Sequence, residues 1–143
     1  MSAPIRIRHV SMWLLIACGI WLISLGLYFI FLRPPLLPED MRFMGSAPEQ
    51  VRTALPGLEG WLKRVFIVMG GFMAGTGVLT IFAARVAIST RLTGVSWAIA
   101  VSGLLTVVLM SSINFALHSD FRWLLLFPAL AWLASFVLYV AKR

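Results

Sequence analysis

Three side chains near the end of the longest charge-free run have the types and spacing to do chemistry together. Ser111, Asn114 and His118 fall at i, i+3 and i+7, so a helix puts them on one face. That face runs out beside Asp120 and Arg122. A hydroxyl, an amide and an imidazole in a row could take the head group of a quinone or a lipid. The bland reading is hydrogen bonding between helices, worth about 0.6 kcal/mol on average in a membrane. A weaker alternative is a membrane enzyme that uses His118 with Asp120.

Other reactive residues are sparse. The second histidine, His9, falls at the far end of the chain's first apolar run, which excludes a bis-histidine haem. Met41, Met44, Met69 and Met73 could offer soft sulfur to copper(I), but methionine is also the common filler of apolar packing. Cys18 is the only cysteine, so no internal disulfide and no CxxC pair exists. There is no GxSxG, HExxH or P-loop, and no pair of acids inside an apolar run. The expectation is no catalytic residue, no cofactor and no bound metal, and the balance leans against an enzyme.

The elements that position these residues follow from composition. Of 143 residues, 61% are hydrophobic and 12% charged, and the mean hydropathy is +0.96. A soluble domain carries about a quarter charged residues, so this chain cannot cover its apolar surface with a polar shell. Lipid is the expected solvent. The net charge of +7 is spread in ones and twos without interleaved aromatics, which argues against nucleic acid.

Four segments lack Asp, Glu, Lys and Arg: 10–32, 65–84, 92–117 and 123–141. A spanning helix needs about 20 such residues. The fold expected is an all-α integral membrane protein of one domain, a four-span antiparallel bundle, with the last span taken as about 121–141. Trp13, Trp61, Trp97, Trp123 and Tyr139 fall near the segment ends, as an interfacial belt places them. "LIAC", ending at Cys18, resembles a lipoprotein cleavage box, but the apolar run continues to Leu32, so the segment reads as a retained helix. No ionisable residue lies near the middle of a segment, which disfavours proton-coupled transport.

Lysine and arginine number six on each side of the expected membrane, a tie under the positive-inside rule. Arg6 and Arg8 flank the first span, and all five acids fall on the opposite side. Both termini are therefore placed in the cytoplasm.

The loop 33–64 is the one sizeable polar surface. "PPLLP" reads as a stiff extended strut, and "PED" as a turn. Ser46 and Glu49 form an S-x-x-E capping box, predicting a short extramembrane helix over about 47–54. Such an ordered loop either caps its own bundle or docks a partner through Pro34, Pro35, Glu39, Asp40 and Arg42. Within the spans, Gly70, Gly71, Gly75 and Gly77 crowd one segment, with Gly71 and Gly75 at GxxxG spacing. Gly94, Ala98 and Ser102 suggest a second seam of small residues.

"LRPPLLPEDMRFMG" together with "VMGGFMAGTGVLT" resembles uncharacterised small four-span proteins of the bacterial inner membrane. The resemblance implies that fold and that localisation, and brings no activity or site residue. The leading functional expectation is a non-enzymatic accessory or interaction subunit, partnered by the lipid bilayer and by another membrane protein or a second copy. The alternative is a binder or carrier of a small amphiphile in a pocket of Ser111, Asn114 and His118.

Overall fold

An apolar chain with five of its seven prolines in one loop folds as long helices on either side of it. The computed structural model describes residues 3–90 and 93–140. Helix α1 spans Ala3–Phe31, α2 Pro38–Met44, α3 Pro48–Ala54 and α4 Leu58–Thr90. Helix α5, Thr93–Gly103, runs through a π turn at Leu104–Val108 into α6, Leu109–Ala116, and α7 covers Arg122–Val140. The described residues contain no strand. The charges at Arg91, Lys142 and Arg143, and the segment end at Leu92, lie outside them.

Three stretches are long and apolar enough to cross a membrane: His9–Phe31, Leu58–Val86 and Trp97–Ala116. The apolar stretch of α7, Arg122–Leu138, is shorter. At about 1.5 Å per residue α4 is roughly 50 Å long, against a hydrocarbon core of about 30 Å. Its polar first turns, with Glu59, Lys63 and Arg64, therefore stand clear of the apolar part.

Helix α1 lies between α4 and α7. On the α4 side the contact is backbone to backbone. A Cβ added to Gly19 would lie 2.8 Å from the Gly77 carbonyl oxygen, and one on Gly26 would lie 2.5 Å from that of Gly70. The pairing of 19 with 77 and 26 with 70 makes the two helices antiparallel. Seven-residue spacing returns to nearly one helix face, so the seam is a heptad pair on each helix, with Ala74 between.

The expected GxxxG pair is elsewhere. Gly71 and Gly75 have no atom within 4 Å of an added Cβ, because one residue of offset turns their stripe about 100° from the seam. Gly94 is equally open, Ala98 is exposed and Ser102 half-buried. The second tight glycine is Gly103, whose Cβ would collide with the Trp132 indole of α7.

On its other side α1 is stitched to α7 by hydroxyls. Ser11 Oγ donates to the Ser135 carbonyl at 2.9 Å, and Ser135 Oγ donates to that of Ser11 at 2.8 Å. Both serines are fully buried. Further along, Cys18 Sγ donates to the Pro128 carbonyl at 3.5 Å, so α7 also runs antiparallel to α1. The apolar core of Leu15, Ile16, Cys18, Leu22, Ala84, Ile99, Val107, Ala129 and Trp132 surrounds this clasp.

Gly26→Leu should cost stability, because its first added atom meets the backbone of Gly70 and Ala74, which only helix separation can relieve. The expected loss is about 1–3 kcal/mol or more in thermal or denaturant unfolding in detergent. Gly75→Leu should leave the same transition within about 0.5 kcal/mol.

Candidate functional site

The loop end of the molecule is built around α2. Pro34 blocks continuation of α1, whose last carbonyl acceptor, Tyr28, takes both the Leu32 and Arg33 N–H groups at 2.8 Å. The expected turn at Pro38–Asp40 is instead the first turn of a helix. Pro38 opens α2, and Asp40 Oδ2 accepts the Leu37 N–H at 2.7 Å. Gly45 closes it in the left-handed region, at φ 63°. Helix α3 follows one residue later than its sequence cap implied: Ala47 is the cap, and Gln50 Oε1, not Glu49, accepts the Ala47 N–H at 3.1 Å.

Every charged side chain expected to dock a partner from α2 is turned toward its own chain. Glu39 Oε2 accepts the Ser119 hydroxyl and the Asp120 N–H, both at 2.9 Å. Arg42 Nη2 donates to Asp120 Oδ2 at 2.7 Å. That bond, and the Asp120 charge, raise the Arg42 pKa. Asp40 also pairs with Arg33 at 3.6 Å. Pro35 lines the cavity described below, and Pro34 is exposed.

Arg33 sits beneath this layer with 9% of its side chain exposed. Its guanidinium carbon lies 3.5 Å from the Phe66 ring centroid and 5.2 Å from that of Phe29. Burial lowers its pKa, and the neighbouring Asp40 charge opposes that shift. A guanidinium is weakly hydrated and stacks on rings, so it tolerates this site better than an ammonium. Arg33 thus joins the end of α1, the start of α4 and α2.

The face of Ser111, Asn114 and His118 is arranged differently. Ser111 is buried. The Asn114 amide donates to the Met110 carbonyl one turn back, at 2.9 Å. His118 is exposed and adopts φ 51°. Its N–H donates to the Phe115 carbonyl and the Ser119 N–H to the Asn114 carbonyl, the Schellman pattern that ends a helix. His118 therefore occupies a position that glycine usually takes. It terminates α6 and turns Ser119 toward Glu39.

None of those three lines the half-open cavity beneath the loop. That cavity, about 410 Å³, lies beneath α2, between the first turns of α4 and the α6–α7 turn. Leu36, Phe43, Leu58, Leu62, Phe66 and Leu117 give it an apolar wall. Its polar lining groups, Glu39, Asp40 and Ser119, are those already bonded within the chain. Two signals for it stood in the sequence: apolar Phe43 and Met44 inside a charged loop, and Leu58 and Leu62 one turn apart before the second apolar run.

Among the described residues, no group of three or more His, Cys, Asp or Glu is placed to hold a metal ion. Of the methionines, Met44 lines the cavity, Met69 is exposed and Met73 half-buried. Comparison with protein-family models, curated proteins and solved structures found no match.

If His118 serves the backbone, His118→Gly should raise stability by about 0.5–1 kcal/mol, because glycine adopts that φ freely. Glu39→Ala should strip two donors of their acceptor and speed hydrogen exchange over 38–44 and 119–122. Arg42→Ala, which breaks only a solvent-exposed pair, should do so less.

Proposed function

We propose that the protein is a non-enzymatic accessory subunit that crosses a bacterial inner membrane four times and associates with another membrane chain or a second copy through α4. Both termini lie in the cytoplasm, and the 33–64 loop faces the other side. The fourth crossing rests on α7: the Ser11–Ser135 and Cys18–Pro128 bonds hold it alongside α1, so it shares the depth of a helix of spanning length.

The observation that carries the association is that α4 is held from one side. Gly70 and Gly77 meet α1, while Gly71 and Gly75 lie open among exposed Val68, Phe72 and Leu79. Helices in hydrocarbon associate by close packing of backbones rather than by a hydrophobic drive. Two glycines one turn apart make a shallow groove that a partner helix can enter. Each glycine weakens its own helix, and a close contact offsets that cost. The carboxylates fit a structural rather than a chemical role: Glu39, Asp40, Glu59 and Asp120 each hold a donor of the chain.

Purification in mild detergent should yield a complex or homo-oligomer, and Gly71→Leu or Gly75→Leu should release the subunit with its unfolding transition unchanged. Recovery of the wild-type protein solely as a monomer would overturn the reading. For topology, in a Cys18→Ala background, Thr53→Cys should react with an impermeant thiol reagent on intact cells. Arg85→Cys should react only after permeabilisation; the opposite result would invert the orientation.

A further inference from the structure

We propose that the cavity beneath α2 is a binding site for one acyl chain of a membrane phospholipid, with the lipid phosphate held at Lys63. Its volume of about 410 Å³ falls within the roughly 300–1,000 Å³ typical of ligand sites. Its wall is almost wholly hydrocarbon and aromatic: Leu36, Phe43, Leu58, Leu62, Phe66 and Leu117. An apolar space of this kind does not stabilise water, which needs two to four polar partners. One oxygen of each carboxylate at its edge is committed to the chain, since Glu39 Oε2 holds two donors of the α6–α7 turn and Asp40 Oδ2 holds Leu37 and Arg33. The site therefore calls for an apolar occupant.

Position selects which one. The cavity lies where α4 passes from polar first turns into its apolar run, at the end of the molecule that carries the exposed indoles of Trp61 and Trp123. Exposed tryptophans at helix ends mark the level of lipid head groups. A half-open cavity at that level is in contact with acyl chains at the highest concentration of any apolar molecule in a membrane.

Charge selects the head group. On this side Arg33, Arg42 and Arg52 are paired with Asp40, Asp120 and Glu59. Lys63, Arg64 and Arg122 enter none of these three ion pairs; Arg64 donates to the Gly60 carbonyl at 2.8 Å and Arg122 is half-buried, while Lys63 is exposed. It follows Leu62 and precedes Phe66 by three, which puts it at the edge of the stripe that lines the cavity. An ammonium there suits a phosphate as a point charge. Arg33 cannot serve, because its guanidinium is stacked on Phe66 beneath the loop.

The test is photolabelling of the full chain in vesicles of phosphatidylethanolamine and phosphatidylglycerol that contain a phospholipid with a diazirine on one acyl chain. Labelled residues are mapped by mass spectrometry. Label at Phe43, Leu62, Phe66 and Leu117 should exceed that at Phe127 and Leu130, exposed residues of α7 away from the α4 groove, on the order of tenfold. Leu62→Trp, which fills the cavity, should remove this excess and leave Phe127 labelling unchanged. Lys63→Glu should weaken it. Even labelling of the cavity and of Phe127 and Leu130 on α7 overturns the proposal, as does a free fatty acid or isoprenoid quinone probe labelling the cavity when the phospholipid does not. Should Leu62→Trp fail to fold, the wild-type map decides alone. Gly71→Leu should leave the cavity label unchanged, so that lipid occupancy and association through α4 are judged separately.

Discussion

The approach of α1 to α4 at Gly19, Gly26, Gly70 and Gly77 sets the geometry of everything else. Lipid removes the hydrophobic drive between helices, so what holds two apolar rods together is the closeness of their atoms. Where neither helix has a Cβ, the backbones approach until a carbonyl of one occupies the space a methyl would need on the other. That contact fixes α4 along nearly the whole of α1. It also fixes the start of α4 beside the end of α1, where Phe29 and Phe66 meet edge to face and Arg33 lies over both. The loop between them has to close over that junction, and α2 is the element that does so.

The two sides of α1 are joined by different physics. Toward α4 the seam at Gly19, Gly26, Gly70 and Gly77 is close packing of backbones. Toward α7 there is a reciprocal pair of serine hydroxyls, buried where each donor would otherwise lack a partner. The loop end uses a third mode. One carboxylate oxygen of Glu39 gathers a hydroxyl and a backbone N–H of the α6–α7 turn, in a place where polar groups can still be paired at the edge of the apolar region. Because these acids are spent on holding α2 down, the space under α2 is left apolar. Pocket and latch are thus two consequences of one loop conformation.

The local rules explain which parts of this were legible. Long charge-free runs implied long apolar helices, and three of the runs correspond to helices of membrane length. Proline and glycine marked where helices stop and start around the loop. The helix α2 was missed because "PED" reads as a turn until one sees that Asp40 can cap the N–H of Leu37. Of the polar face at 111, 114 and 118, only Ser111 and Asn114 lie on α6, since His118 falls past its end, and periodicity cannot say where a helix stops or what a stripe faces. His118 proved to end a helix, a backbone role that its imidazole conceals. The glycines divide for the same reason: Gly70 and Gly77 meet α1 while Gly71 and Gly75 do not, because GxxxG is a spacing on one helix and a seam is a match between two.

By itself, then, the sequence determined the solvent, the long helices and the place of the loop, because these depend on composition and on interactions within a few residues. Tertiary structure decided which glycines touch, that Ser11 finds Ser135 across the length of the chain, and that Glu39 reaches the turn at Ser119. It also decided that an apolar cavity remains beneath α2. Those outcomes depend on the rotation of each helix about its own axis, and a shift of one residue turns a side chain by about 100°. Only the contact between two surfaces can choose among such rotations.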